Sequence, residues 1–176
     1  MRRPIRIYPD PVLRGKAAPV ETFDAALAEL AKELAATMYD APGVGLAAPQ
    51  IGELQRVAVI DVDPRGPASK LHVLINPRIV ESSGESLDSE GCLSIPELTE
   101  KVERPQRVRV EAVDVEGRPF ELLGEGFLAR ALCHEIDHLD GVLFIDRLHG
   151  LRRQLAMRRL RRLGFEVETA RPGVAR

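Results

Sequence analysis

Metal-assisted hydrolysis needs the residue types and the spacing found in His134-Glu135-Ile136-Asp137-His138. Two histidines four positions apart in an α-helix are separated by ~40° around the axis and by ~6 Å along it, so both imidazoles can reach one metal ion. Glu135 lies roughly 100° from His134, so its carboxylate can carry a proton beside the ion without binding it. The segment therefore predicts a hydrolytic metal site. The pattern has only three fixed residues, and a helix with two surface histidines is the alternative.

A catalytic metal normally takes a third protein ligand, for which the sequence offers two cysteines, Cys92 and Cys133. Cys92 follows a glycine in a turn-rich stretch. Cys133 directly precedes His134 and points about 100° away from it, so its short side chain would not reach the same ion. We interpret Cys133 as a small core residue and Cys92 as the candidate ligand. His72 and His149 are not spaced to join the site, and a single disulfide between the cysteines is the remaining alternative.

A run of small residues, Gly43-Val-Gly-Leu-Ala-Ala-Pro-Gln50-Ile-Gly52, contains one polar side chain, that of Gln50. The glycines leave the backbone bare, so another chain could lie close against it. The amide of Gln50 could donate a hydrogen bond to an oxygen that gains negative charge during a reaction. The alternative is a tight, packed loop in which Gln50 only bonds its own backbone.

Hydrophobic periodicity predicts the elements that must position these residues. Apolar residues recur at spacings of three and four over 23–39, which predicts a helix with one buried stripe, namely Phe23, Leu27, Leu30, Leu34 and Met38. Strands are predicted over 56–62, over 71–80 with a break at Asn76-Pro77, over 107–115 and over 119–123. Gly141 is expected to end the histidine-bearing helix. This order predicts an α+β fold, with mixed or antiparallel sheets packed around a central metal-binding helix and with a C-terminal helix.

Length and composition predict one domain over residues 1–176, because 176 residues with 44% hydrophobic content can form a core. No run of about 18 apolar residues is present, so we expect no membrane association. The N-terminus lacks the apolar core of a signal peptide, which predicts a protein that is not exported. The formal net charge of −2 gives no indication of a DNA partner.

The C-terminal helix, predicted over about 147–163, is strongly basic. The segment 147–162 holds seven arginines and no acid, so a net charge of −2 leaves the remainder of the chain at −9. Leu148, Leu151 and Leu155 are expected to pack on the body, which leaves for solvent Arg152, Arg153, Arg158, Arg159, Arg161 and Arg162. Gly164 should end the helix, and 170–176 should form a loose tail. Such a helix could bind phosphate groups; a helix end that only aids solubility is the alternative.

Three segments, taken together and in this order, resemble the signature stretches of the peptide deformylases. They are Gly43-Val-Gly-Leu-Ala-Ala-Pro-Gln50, Glu90-Gly-Cys-Leu-Ser94 and His134-Glu-Ile-Asp-His138. The resemblance extends from the N-terminus to about Leu163. It implies a hydrolase that removes the formyl group from the N-terminal formyl-methionine of new bacterial polypeptides and releases formate.

The resemblance also implies a role for each site residue. Cys92, His134 and His138 would be the metal ligands, and Glu135 the general acid/base. Gln50 and the backbone N–H of Leu93 would hold the developing oxyanion, and the backbone of Gly45 would contact the substrate. Candidates for the methionine pocket are Val44 and, because they precede His134 by seven and three residues on its helix, Phe127 and Ala131. Glu90 is expected to form an ion pair with Arg104 that fixes the ligand loop, the alternative being a solvated surface glutamate.

For the metal, the resemblance implies Fe²⁺, for which Zn²⁺, Ni²⁺ or Co²⁺ could substitute, because one thiolate and two imidazoles suit all four ions. Its implied location is the bacterial cytoplasm, and a ribosomal partner near the exit tunnel is a hypothesis for the basic helix. A zinc endopeptidase is one competing interpretation, but nothing suitable as a third ligand follows His138. A structural metal module is another, although such proteins tend to lose the glutamate or the amide, and both Glu135 and Gln50 are present.

Overall fold

The structure is a computed structural model, and it describes residues 1–167. Over these residues the chain forms three α-helices, namely α1 (Ala25–Asp40), α2 (Phe127–Leu139) and α3 (Gly150–Arg162). It also forms seven strands, namely β1 (Gly45–Ala47), β2 (Val57–Ile60), β3 (His72–Ser83), β4 (Ser86–Cys92), β5 (Ile95–Arg104), β6 (Arg107–Val113) and β7 (Pro119–Glu125). Three short 3₁₀ turns are found at Pro11–Arg14, Ala48–Ile51 and Phe144–Arg147.

The named strands form two antiparallel sheets. Five of them lie in the order β1-β2-β3-β6-β7, and β4 pairs with β5 as a separate hairpin. The helix α2 packs one face on the larger sheet, where Leu132 and Ile136 share a core cluster with Val110. Its other side faces the β4–β5 hairpin and the 3₁₀ turn at Phe144–Arg147. The α+β fold, with antiparallel sheets around a central helix and with a C-terminal helix, is therefore confirmed.

The first helix follows the predicted apolar stripe except at its start. Four of the five predicted residues are buried, namely Leu27, Leu30, Leu34 and Met38. Phe23 was predicted wrongly, since its side chain is 38% exposed and its ring lies beside Gly117. The reason is the cap: the Asp24 carboxylate accepts a hydrogen bond from the Leu27 amide at 3.0 Å, so the helix begins after Phe23.

The predicted break at Asn76-Pro77 does not divide the strand, because β3 continues through it. The chain accommodates the proline with a register shift between Ile75 and Arg78 and with a left-handed φ of 52° at Asn76. The Asn76 side chain compensates by accepting from the Val20 amide and donating to the Val20 carbonyl. The sequence did not predict the β4–β5 hairpin, because β4 is mostly polar and exposed and carries little alternation of apolar residues.

The C-terminal helix packs on the body through residues other than those expected. Leu148 is buried, but it precedes the helix, and Leu151 and Leu155 are 68% and 50% exposed. Ala156 and Leu160, which are four residues apart, are buried instead. Residues four apart share one face of a helix, and this face of α3 meets the body, where Ala156 and Leu160 join a core cluster with Tyr8 and Phe144.

After α3 the chain turns at Gly164, where the φ of +87° ends the helix as predicted. The predicted tail at 170–176 lies outside the described residues. No helix within residues 1–167 is both long and apolar enough to cross a membrane.

Candidate active site

Three side chains of types that bind metal ions converge between the end of β4 and the middle of α2. The Sγ atom of Cys92 lies 3.2 Å from Nε2 of His138, which lies 3.2 Å from Nε2 of His134. The donor atoms of all three residues are within 4.8 Å of one another. One thiol and two imidazole nitrogens converging on one point fit a divalent transition-metal ion bound by three protein ligands.

Cys133 lies outside this group even though it is next to His134 in the chain. It is buried in the cluster formed by α2 and the larger sheet. Burial raises the pKa of its thiol to about 11, so it is uncharged at neutral pH. His72, at the start of β3, and His149, which precedes α3, also lie outside the group.

Glu90 orients the ring of His134 by a contact to the nitrogen that faces away from Cys92 and His138. Its Oε1 atom lies 2.7 Å from Nδ1 of His134, so Nδ1 carries the proton and Nε2 presents its lone pair to the other ligands. Arg104 donates to both oxygens of Glu90, at 2.6 and 3.1 Å, which forms the ion pair predicted from the sequence. Burial by itself would raise the pKa of Glu90, but the hydrogen bonds from His134 and Arg104 outweigh it and lower the pKa, so the carboxylate is charged.

The Glu90–Arg104 ion pair is part of a larger network of charged side chains that the sequence did not predict. Arg104 also donates to Asp137 at 2.6 Å, and Asp137 accepts from Arg147, which joins α2 to the 3₁₀ turn before α3. Arg130 contacts Glu90 from one turn before His134. The one available signal was the presence of charged residues on a helix that was expected to be central, since buried charges require partners. His138 differs from His134, because its Nδ1 has no hydrogen-bond partner among the described residues.

Glu135 has a buried carboxyl group beside the cluster formed by Cys92, His134 and His138, the candidate ligands. Its Oε2 has no hydrogen-bond partner in residues 1–167, and burial raises its pKa to about 7. Its carboxyl group lies against Gly45, where an added Cβ atom would be 2.7 Å from Cδ of Glu135. A carboxyl group with such a pKa can accept a proton and return it near neutral pH.

Gln50 is buried in the 3₁₀ turn that follows β1, and its amide group has two different partners. Its Oε1 accepts from the backbone amide of Ala47 at 2.9 Å, so the interpretation in which Gln50 bonds its own backbone holds for the oxygen. Its Nε2 faces the ligand cluster, where it donates to Oγ of Ser94 at 3.1 Å and lies 3.6 Å from Sγ of Cys92. The local bond orients the amide, which leaves the N–H groups directed towards the site.

A cavity of about 430 Å³ opens beside the ligands, within the usual size range of small-ligand sites. One wall is the segment 43–45, which leads into β1, an edge strand of the larger sheet. The opposite wall is formed by parts of β4 and β5. The four residues predicted to contact the substrate all line this cavity, namely Val44, Gly45, Phe127 and Ala131, as do Gln50, Leu93 and Glu135. The half-exposed ring of Phe127 makes it part of the mouth of the cavity.

Comparison with known proteins gives one consistent result. A family model described as Polypeptide deformylase matches residues 2–154. Curated relatives include a peptide deformylase of Acidobacterium capsulatum, 48% identical over 163 residues that cover 93% of this chain and 96% of the relative. Another, of Rhizobium meliloti, is 52% identical over 158 residues that cover 89% of this chain and 91% of the relative.

Solved structures agree with the sequence comparison. The crystal structure of peptide deformylase from Thermus thermophilus has a TM-score of 0.87 and 47% identity, with 92% of this chain and 95% of that chain covered. A peptide deformylase from Synechococcus elongatus, solved in complex with actinonin, has a TM-score of 0.89 and 41% identity, with 98% and 95% covered.

Proposed function

Because the chain belongs to the peptide deformylase family, whose enzymes are metallohydrolases that remove the N-formyl group from nascent peptides, we propose that its hydrolytic centre is formed by Cys92, His134 and His138. The observation that carries the proposal is the convergence of these three donor groups within 4.8 Å beside a cavity and a buried carboxyl group. A zinc endopeptidase is the weaker candidate, because the third donor of this group lies upstream of the histidines rather than downstream.

The proposed metal is Fe²⁺ in the cell, and Zn²⁺, Ni²⁺ or Co²⁺ would be accepted in its place. A divalent ion in this donor set would lower the pKa of water and polarise the formyl oxygen. The thiolate and the two imidazoles suit all four ions, so the preference for iron rests on the family resemblance. We expect iron in protein purified without oxygen, and full activity in a sample that contains only zinc would contradict this.

The proposed proton carrier is Glu135. Its carboxylate would accept the proton of the attacking water and deliver it to the departing peptide nitrogen, so that formate and a free amino terminus are released. The support is its burial, its unpartnered Oε2 and a pKa raised to about 7, close to the pH at which such a group works best. The carboxylate thus acts as base in the first half of the reaction and as acid in the second.

The proposed oxyanion donors are the Gln50 side chain and the backbone N–H of Leu93. Each such donor typically contributes ~3 kcal/mol to the stability of the transition state. For Gln50, the supporting observation is that its oxygen is held by Ala47, so its Nε2 is oriented towards the site before substrate arrives. For Leu93, the support is its place on the cavity wall directly after Cys92.

The proposed substrate site is the 430 Å³ cavity. The backbone of Gly45, on an edge strand, would pair with the extended peptide, and an apolar region near Val44, Phe127 and Ala131 would receive the methionine side chain. A formyl group has only hydrogen on its carbonyl carbon, so a narrow mouth would exclude acetyl and longer acyl groups. Methionine suits such a pocket because its unbranched chain adapts to irregular apolar walls.

The experiment that tests this function is the release of formate from formyl-Met-Ala by the metal-loaded protein. Wild type should release formate, and Glu135→Ala should lower kcat by on the order of 10²- to 10⁴-fold with its metal content unchanged. Equal rates for the two proteins would contradict the proposed role of Glu135. An inactive wild type with a full complement of metal would contradict the proposed function itself.

We further propose that the chain acts as one catalytic domain in the bacterial cytoplasm, where formylated chains are made. A ribosomal contact near the exit tunnel is proposed for α3, because its arginines are mostly exposed and could bind the phosphates of ribosomal RNA.

A further inference from the structure

Arg130 is a buried arginine on α2, one turn before His134, and its side chain lines the cavity wall. Only 4% of the residue is exposed, and its guanidinium group makes four hydrogen bonds. Nη1 donates to Oε2 of Glu90 and to the carbonyl oxygen of Val102, both at 2.9 Å. Nη2 donates to Oγ of Ser86 at 2.9 Å and to the carbonyl oxygen of the same residue at 3.2 Å.

These contacts join two elements that each supply part of the ligand cluster. Ser86 begins β4 and Val102 lies near the end of β5, so the planar guanidinium group contacts both strands of the hairpin. The same β4 strand ends at Cys92, and the helix that carries Arg130 also carries the two histidines. Arg130 therefore helps to fix the position of the thiol-bearing hairpin relative to the helix that bears the imidazoles. The contacts of Glu90 with His134 and of Arg104 with Asp137 join the same two elements.

The charges around Glu90 show what Arg130 adds. Arg104 already donates to both oxygens of this carboxylate, and it also pairs with Asp137. Removal of Arg130 would therefore leave Glu90 with a cation and His134 with its hydrogen-bond acceptor. The bonds to the backbone of the hairpin would disappear, and Arg104 does not replace them. The contribution specific to Arg130 is thus a direct link from α2 to the backbone of both hairpin strands, at Ser86 and Val102. Because β4 carries Cys92, the loss of this link should affect the thiol more than the ring of His134.

We propose that Arg130 is a positioning residue that holds the thiol of Cys92 at the metal site by clamping the β4–β5 hairpin onto α2. The proposal rests on the metal site described under the proposed function. A lysine cannot replace this arginine fully, because one ammonium group lacks the planar fork that reaches the carboxylate and both strands together.

The test compares Arg130→Met and Arg130→Lys with wild type after loading with Co²⁺. The first readout is the thiolate-to-cobalt charge-transfer absorption in the near ultraviolet, which reports the bond to Cys92 and not the fold. The second is the rate at which a chelator removes the ion. In Arg130→Met we expect a weaker band and removal about tenfold faster, the lower end of the effects found for groups that orient metal ligands. Arg130→Lys should be intermediate.

Two further variants show how small and how large the changes in absorption and in chelation rate can be. Arg109→Met removes an arginine that pairs with Glu81 and Glu121 on the outer face of the larger sheet, away from the ligands, and should leave band and rate as in wild type. Glu90→Gln removes the carboxylate that orients His134 and should accelerate removal at least as much as Arg130→Met.

The outcomes are distinct. Wild-type absorption and chelation rates in Arg130→Met, with normal circular dichroism, would overturn the proposal. If that variant does not fold, the same result in Arg130→Lys overturns it. A wild-type protein that binds Co²⁺ without a thiolate band would instead refute the ligand assignment of Cys92, and would do so before any Arg130 variant is measured.

Discussion

At the scale of single residues, the two cysteines show how position decides chemistry. Cys92 is half-buried at the end of β4 with its sulfur 3.2 Å from a histidine nitrogen, whereas Cys133 is buried in the apolar cluster between α2 and the larger sheet. Burial raises the pKa of Cys133 to about 11, while a thiolate is the form that binds metal. Cys133 is next to His134 in the chain but is not placed to bind the metal, and the proposed ligand is therefore the more distant Cys92.

Serine substitutions should separate the two roles. Cys92→Ser should keep the fold but lose most of the bound metal, since a hydroxyl group is a much poorer ligand than a thiolate. Cys133→Ser should keep the metal and lose on the order of 1–3 kcal/mol of stability, because it buries a hydroxyl group in an apolar cluster. Metal analysis after gel filtration, together with chemical unfolding, measures both effects. The reverse result, with metal lost from Cys133→Ser, would show that the assignment of the ligand is wrong.

At the scale of elements, the approach of β1 to α2 brings the proposed substrate wall against the proposed proton carrier. Gly45 begins β1, and Glu135 lies on the facing turn of α2, with no room between them for a Cβ atom. The requirement for glycine here is one of space, because Gly45 is not among the residues with positive φ. The close approach places the proposed general acid/base beside the backbone that the formyl peptide would follow.

We expect Gly45→Ala to displace the Glu135 carboxylate and to lower kcat/KM for formyl-Met-Ala by on the order of 100-fold, which is the effect of a misplacement of about 1 Å in a catalytic group. Metal content should not change. The matched control is Gly15→Ala, whose added Cβ would meet the flexible end of the Leu54 side chain and lie 3.2 Å from the carbonyl oxygen of Val12, away from the site. Similar activities of the two variants would show that the contact between Gly45 and Glu135 is unimportant for turnover.

At the scale of the whole molecule, charge is distributed unevenly. The seven arginines of 147–162 contribute +7 to a net charge of −2, so the remainder of the chain carries −9. Arg147 is held by Asp137, and the side chain of Arg153 donates to the carbonyl oxygen of Ile145, but most of the others are exposed on α3. Leu151 and Leu155 lie among them and are also exposed. The outer face of α3 is thus basic and carries two exposed apolar side chains, and its arginines are of the type that neutralises phosphate groups.

If this face binds ribosomes, a variant with Arg158, Arg159, Arg161 and Arg162 all replaced by Gln should co-sediment with them more weakly. The dependence of binding on salt should also flatten, by about 0.7–0.9 in the logarithmic slope for each phosphate group that the variant no longer neutralises. Turnover of formyl-Met-Ala should not change, because the four positions lie outside the active-site cavity.

The control changes net charge equally elsewhere, with Arg2, Arg78, Arg107 and Arg118 replaced by Gln. These side chains are all at least 66% exposed. Equal weakening by both sets of substitutions would indicate an effect of net charge alone. If co-sedimentation with ribosomes is unchanged by the α3 substitutions and by salt, this helix has a structural role only.

The sequence by itself determined the features that depend on local geometry. The i,i+4 spacing of His134 and His138 brings their imidazoles to one face of any α-helix, and the apolar stripe from Leu27 to Met38 requires a buried face. The residue types of the three signature segments determined the family. The ion pair between Glu90 and Arg104 was also anticipated, from the resemblance.

Only the tertiary structure decided the relations between residues far apart in the chain. Arg130 contacts Glu90 and Ser86 across 40 and 44 positions, and the first strand of the hairpin that it clamps is mostly polar, with no strong periodicity of its own. The exposure of Leu151 and Leu155 likewise depends on where α3 begins and on which face meets the body. Local spacing specifies which residues share a face, but the packing partner of that face is set by contacts between elements, and these become defined only when the chain folds.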